Sequence, residues 1–290
     1  MLAALIVLAA GACTGGGAAE VGTLDCLLDP ACERIMVAAH RGFHRDQPEN
    51  SLAAIREAAR IGVDFVEVDV RSTGDGVLVL MHDSSVDRTT DGTGEIAALS
   101  WEELSGLRLE GGLASDPGSS RVARFDEALA LAKESGLMLY VDLKTGDLDA
   151  LVADIRVREG EEVALIRDGL GTLVPLNQLA ADLLLMPPIA SQAELDAALE
   201  ALPGLRIVEI ASVLPDVALS EAVHAAGLKV QQDVMVGGDL LAAVGDYSGW
   251  KGFVDAGVDL MQTDLPDLLL AALAEQEQGG GFPVSGPPLE

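Results

Sequence analysis

Residues able to do chemistry recur in this chain at the ends of short apolar runs. His40 and Arg41 follow the run 35–39, and Glu67 and Asp69 close a second. His82 and Asp83 end a third run, Asp142 and Lys144 a fourth. Residues two apart on a strand share a face and lie about 7 Å apart along the backbone. Glu67 and Asp69 therefore point one way together, as do Asp142 and Lys144. Carboxylates gathered at one place repel one another unless a cation lies between them, and oxygen donors suit one hard divalent ion, Mg²⁺ or Ca²⁺. Two imidazoles, a guanidinium and an ammonium beside such a cation are the inventory of metal-assisted phosphoryl transfer. Taken singly, an Asp at a strand end is more often a helix cap, and a lone His more often structural. The ordered recurrence of the whole set carries the functional reading.

The elements that must position these groups follow from periodicity. Strand-like runs fall at 35–39, 63–69, 138–143, 162–166, 182–186, 206–210, 228–234 and 259–263. Amphipathic helical patterns lie between them at 51–60, 125–135, 192–201 and 216–226, and Gly62, Gly136, Gly227 and Gly257 mark helix ends. Strands alternating with helices predict an α/β chain closed into a (β/α)₈ TIM barrel, whose catalytic groups gather at the C-terminal ends of the strands. An open doubly wound sheet is the alternative, but no Gly-rich phosphate loop follows the first strand. The limits of elements within 145–180 do not resolve. Residues 71–124 break the βα rhythm and are expected to form a small insertion after strand two. The barrel is expected over 34–275, and the Gly- and Pro-rich tail 276–290 is expected to be disordered.

Composition narrows the partners. With 47 acidic against 18 basic residues, the surface repels nucleic acid and offers no basic face to anionic lipid. A phosphate-bearing substrate must then be held by local cations. Residues 1–12 are apolar and end in small side chains before Cys13, a pattern too short to span a bilayer and expected to be a signal peptide. The stretch Leu8-Ala9-Ala10-Gly11-Ala12-Cys13 resembles a bacterial lipoprotein cleavage site, which implies an acylated Cys13 and an extracytoplasmic protein held to the membrane only by that anchor. Residues 14–33 are expected to form a linker. Within it, Cys26 and Cys32 flank a short loop containing Pro30 and are expected to pair as a local disulfide in an oxidising compartment.

The motifs in order are His40-Arg41-Gly42, Pro48-Glu49-Asn50, Glu67-x-Asp69-Val70, His82-Asp83, Arg88-Thr89-Thr90, Val141-Asp142-Leu143-Lys144 and Thr263-Asp264-x-Pro266. This set resembles the glycerophosphodiester phosphodiesterase family from Met36 to about Leu270. The resemblance implies a TIM barrel with a small insertion after strand two. It further implies one divalent cation on Glu67, Asp69 and Asp142, and His40 and His82 as the acid/base pair. Arg41 and Lys144 would bind the substrate phosphate, with Glu49 and Asn50 in support. In that family the substrate's glycerol hydroxyl is the attacking group, and water opens the resulting cyclic phosphate. Asp142 stands where the family usually has Glu, and 230–234 lacks a usual aromatic segment. The expected reaction releases sn-glycerol 3-phosphate and an alcohol from a small glycerophosphodiester. Alternatives are a lysophospholipase D- or sphingomyelinase D-like phosphodiesterase, and a non-catalytic binding lipoprotein.

Overall fold

The computed structural model describes residues 21–111 and 121–289. The signal region 1–12, Cys13 and the stretch 14–20 lie outside the described residues. The strands are β1 (Met36–Ala39), β2 (Phe65–Ser72), β3 (Leu78–Leu80), β4 (Met138–Leu143), β5 (Ala164–Arg167), β6 (Leu184–Met186), β7 (Pro188–Ile189), β8 (Ile207–Ile210), β9 (Lys229–Asp233) and β10 (Leu260–Thr263). The helices are α1 (Thr23–Leu28), α2 (Leu52–Ile61), α3 (Trp101–Ser105), α4 (Phe125–Ser135), α5 (Leu148–Arg158), α6 (Leu170–Leu179), α7 (Gln192–Ala201), α8 (Val217–Ala225), α9 (Leu240–Ala242), α10 (Ser248–Asp255) and α11 (Pro266–Glu275).

The sheet runs β6-β5-β4-β2-β1-β10-β9-β8-β7, parallel throughout, with β3 antiparallel on β2. The expected strand 182–186 is in fact two short segments, β6 pairing with β5 and β7 with β8. Pro187 and Pro188 lack the N–H that an unbroken ladder needs, so one chain segment serves one neighbour and then the other. This nearly closes the barrel.

Local chemistry explains the helices. Ser51 caps α2 by accepting from the Ala54 N–H (3.0 Å), and Gly62 ends the helix in the left-handed region. Gly136 ends α4 in the same way. Between them, Ile55 and Ala58 of α2 and Ala128 and Leu129 of α4 pack on the outer faces of Val66, Val68, Leu139 and Val141. The stretch that gave no clear limits holds α5, β5 and α6. There the periodic signal is blurred by Gly171 and by Pro175 inside α6.

Alternation along the strands sorts the barrel interior into layers. Phe65, Leu165, Ile207 and Leu260 fill the floor with Cys26 and Leu27 of α1. One step up, the same faces carry Glu67, Arg167, Glu209 and Gln262. At the top stand Asp69, Asp142 and Asp233.

The expected Cys26–Cys32 disulfide is present, with Cα atoms 5.3 Å apart, and the described part of the expected linker 14–33 also holds α1, which plugs the barrel floor. One expectation is corrected. The tail 276–290 was expected to be disordered, yet its described part folds back. The N–H groups of Tyr247, Gly286 and Leu289 donate to Val284, Gly245 and Ala243 carbonyls, each at 3.0 Å, and Phe282 is buried. Composition hid this because one aromatic and a few backbone bonds suffice to anchor a short segment. The insertion has its own small apolar cluster, including Val79, Met81, Val86, Ile96 and Leu104. No helix among the described residues is long and apolar enough to cross a membrane.

Candidate active site

The turn after β1 is built to hold carboxylates. Arg41 and Gly42 both have positive φ (53° and 84°). A Cβ on Gly42 would meet Ala54 Cβ at 2.6 Å, so α2 can approach only a glycine. The turn aims the Arg41 N–H at Glu67 Oε2 (2.8 Å). Asn50, also at positive φ (53°), donates its backbone N–H to the Arg41 carbonyl (2.9 Å). Its buried side chain donates to Asp69 Oδ2 (2.8 Å) and accepts from the Asp69 N–H (3.0 Å). Two strained residues, Arg41 and Asn50, thus fix the orientations of Glu67 and Asp69.

Register supplies the third carboxylate. In the β2–β4 ladder Asp69 stands opposite Asp142, and oxygens of Glu67, Asp69 and Asp142 lie within 4.8 Å of one another. The shorter side chain at position 142 still reaches the cluster. Burial, with the charge of Asp69, pushes the Glu67 carboxyl up to about 8. Lys144 Nζ reaches Asp142 at 2.5 Å and Asp69 at 3.5 Å; Arg41 Nε lies 3.5 Å from Asp69. Burial tends to lower the Lys144 pKa, but its bond to Asp142 and the surrounding carboxylates raise it. These residues could hold a metal ion.

Each histidine has its own carboxylate. His40 Nδ1 meets Asp264 Oδ1 at 2.7 Å, leaving Nε2 on the side of Glu67 (3.9 Å). Burial works to lower the His40 pKa, yet the Asp264 hydrogen bond and the Glu67 charge raise it. Asp264 is held in turn: its N–H donates to Asp239 Oδ2 (2.7 Å), and Asp239 also accepts from Thr263 Oγ1 and Trp250 Nε1, each at 2.8 Å. His82 Nδ1 meets Asp83 Oδ1 at 2.7 Å. Arg88 grips the same carboxylate (2.7 and 3.0 Å), and its bond, ahead of that from His82, holds Asp83 well below the usual carboxylate range. Arg88 also donates twice to Glu49 (2.9 and 2.8 Å), which accepts from Arg41 (3.0 Å). A continuous chain His82–Asp83–Arg88–Glu49–Arg41 ties the insertion to the barrel mouth.

The structure therefore gathers Glu67, Asp69 and Asp142 in one cluster, sets Arg41 and Lys144 at its edge, and pins Asp69 with Asn50. Glu49 stands outside the cluster, between two arginines. His40 approaches the cluster directly, whereas His82 is linked to it through the ion-pair chain. Sequence reasoning placed Asp264 at a strand end without a role, although its position offered the signal. It missed Arg167, which reaches Glu209 (2.5 and 3.1 Å) and Asp142 (3.4 Å). Glu209 was discoverable from alternation in 206–210; Arg167 was not, because the limits around it were blurred.

Comparison with known proteins gives consistent findings. The model of the glycerophosphoryl diester phosphodiesterase family matches residues 40–268. Glycerophosphodiester phosphodiesterase 1 of Homo sapiens is 43% identical over 114 residues, 39% of this chain and 34% of that protein. The glycerophosphodiester phosphodiesterase of Caldanaerobacter subterraneus is 34% identical over 113 residues, 39% of this chain and 46% of that protein. The match thus spans between a third and a half of these curated relatives. Among solved structures, a glycerophosphodiester phosphodiesterase from Agrobacterium tumefaciens superposes with a TM-score of 0.65 at 28% identity, covering 82% of this chain and 99% of that one. An Oleispira antarctica phosphodiesterase in complex with the product sn-glycerol-3-phosphate superposes with a TM-score of 0.72 at 25% identity, covering 85% and 99%.

Proposed function

Because this chain belongs to the glycerophosphoryl diester phosphodiesterase family, we propose that it hydrolyses glycerophosphodiesters to sn-glycerol 3-phosphate and an alcohol, with one divalent cation and two histidines. The observation that carries this reading is the convergence of Glu67, Asp69 and Asp142 within 4.8 Å beside His40. The product seen in the Oleispira antarctica structure supports the substrate class.

The residues fit a cation on their own chemistry. Three carboxylates face one another, and one carboxyl is pushed up to about 8, as expected of an oxygen donor set that wants a positive charge. Glu67, Asp69 and Asp142 would hold Mg²⁺ or Ca²⁺, and the bound ion would supply charge stabilisation at the non-bridging phosphate oxygens. Arg41 and Lys144, at the cluster's edge, neutralise the remaining phosphate charge. Arg41 Nε is buried 3.5 Å from Asp69, which places the guanidinium charge against the carboxylate cluster. His40 and His82 each have Nδ1 fixed by an aspartate, which presents Nε2 for proton transfer. One takes the proton of the attacking hydroxyl, and the other returns a proton to the leaving alkoxide.

The test is glycerol 3-phosphate release from a panel of glycerophosphodiesters, with and without chelator. Release that chelator stops and added cation restores is expected; no release from any diester overturns the reading. A second reading, action on lysophospholipids, is favoured by exposed apolar side chains in the segments that follow β8 and β9, among them Val213, Leu214, Val236 and Leu240. Release of lysophosphatidic acid from lysophosphatidylcholine would establish it.

We also propose that the protein works outside the cytoplasm, anchored by an acylated Cys13. The apolar run before small residues supports this, and the Cys26–Cys32 disulfide is compatible with an oxidising compartment. One diacyl anchor supplies two buried chains, enough for stable attachment. Mass spectrometry of the mature N-terminus decides it: an unmodified N-terminus downstream of Cys13 means simple secretion.

A further inference from the structure

Beside the carboxylate cluster lies a cavity of about 260 Å³ at the C-terminal ends of β8 and β9. Its polar side chains are Asp233, Glu209 and Ser212, and its walls include Ile210, Val213, Met235 and Val236. One side chain separates it from the reacting centre, since Arg167 bonds Glu209 and reaches Asp142. We propose that this cavity is a subsite for a quaternary ammonium group on the alcohol half of the substrate, with Asp233 as its counter-charge. The proposal rests on the phosphodiesterase reading and names the class of alcohol released.

The two carboxylates are not equivalent. Glu209 is already matched by Arg167 through two hydrogen bonds (2.5 and 3.1 Å). Asp233 forms no ion pair among the described residues. Its side-chain partner there is the Gln231 amide, which donates at 2.9 Å. Among the described residues, no basic side chain lines the cavity. A carboxylate in a largely aliphatic pocket is poorly solvated, and burial with the neighbouring Glu209 charge pushes Asp233 up to about 6. A cation entering the cavity relieves that strain.

The walls select among cations. A primary ammonium carries three N–H donors, each of which needs an acceptor when it leaves water. The aliphatic walls offer none, the Ser212 hydroxyl is taken by the Leu214 carbonyl and N–H (2.8 and 3.3 Å), and Glu209 is taken by Arg167, so Asp233 alone cannot serve all three. A trimethylammonium has no donors to satisfy, spreads its charge over its methyl groups, and packs those methyls against Val213, Met235 and Val236. Among the described residues no aromatic ring lines the cavity, so recognition of charge falls to the carboxylate and not to a π-face.

The experiment measures kcat/KM for glycerophosphocholine, glycerophosphoethanolamine and glycerophosphoglycerol in the full-length protein. The quantity read is the choline-to-glycerol ratio within each variant, so a general loss of folded enzyme cancels. In the wild type the ratio is expected to be about tenfold or more, with ethanolamine between, one charge contact being on this scale. In Asp233→Asn it should fall toward one, chiefly through a raised KM for the choline diester. Val236 is largely exposed, so Val236→Lys should fold and drive the ratio below one. Equal turnover of all three diesters by the wild type, or a preference that survives both substitutions, overturns the subsite while leaving the phosphodiesterase reading intact. No turnover of any diester overturns both.

Discussion

The two ends of the barrel use the same side chains to opposite effect. At the floor, the carboxylates that flank the strands, Asp64 and Asp259, are answered. Asp64 pairs with Arg34, accepts from Thr23 Oγ1 (2.9 Å) and takes the Val37 N–H (3.0 Å). Asp259 pairs with His224 (2.8 Å) and Lys229 (3.1 Å), and takes the Val230 N–H (2.8 Å). The buried Lys229 ammonium also bonds the Cys32 carbonyl, tying the disulfide loop to the barrel. At the mouth, Glu67, Asp69 and Asp142 face one another, and Asp233 forms no ion pair among the described residues. A His–Asp pair exists at both ends, His224–Asp259 below and His40–Asp264 above. The pair alone therefore does not mark a catalytic group. Surplus negative charge around it does: Lys144, Arg41 and Arg167 answer that charge in part, and a bound cation would answer the rest.

If the comparison is right, substitutions at the mouth change turnover and those at the floor change stability. The largest effect should come from Glu67→Gln and Asp69→Asn, each lowering kcat/KM on the order of 10³-fold or more, with circular dichroism unchanged. Full activity in excess chelator would break the comparison outright. Next, His40→Ala and His82→Ala should each lose on the order of 10²–10⁴ in kcat, whereas His224→Ala should lose little. A dispensable His82 would remove the insertion from the chemistry.

Asp264→Asn should cost about 10–100-fold in kcat, the scale of groups that orient a functional side chain. It should also move one limb of the pH–rate profile. Asp264 raises the His40 pKa, so its neutral replacement lowers it, and the limb belonging to His40 shifts to lower pH. An unmoved profile would assign Asp264 a purely structural role.

The smallest effects are on stability, and they should have opposite signs at the two ends. Glu67 in the folded, cation-free protein titrates at about 8, above its ordinary 4.5. Between these values the folded state holds a proton that the unfolded state has released, so stability falls as pH rises through this window. Glu67→Gln removes that loss and should raise Tm by about 2–5 °C at pH 8 in chelator. At the floor, Cys26→Ser with Cys32→Ser opens a loop of sequence separation 6 and should cost about 2 kcal/mol. Turnover at 25 °C should not change. Differential scanning calorimetry beside the activity assay reads both.

Much of this molecule was legible in its sequence, for a physical reason. Strand alternation, the Ser51 cap and the left-handed glycines at 62 and 136 depend on residues a few positions apart. So does the pairing of Glu67 with Asp69 on one face. The chemistry that these short-range patterns present was therefore readable without knowing the fold. What the tertiary structure decided lies across the barrel. The β2–β4 register sets Asp142 beside Asp69, and closure brings Asp264 to His40 although 224 positions separate them. The split between β6 and β7, the answer of Arg167 to Glu209, and the seating of α1 in the floor depend on which strand lies next to which. Adjacency of that kind comes from the packing of all the strands at once, and no local pattern encodes it.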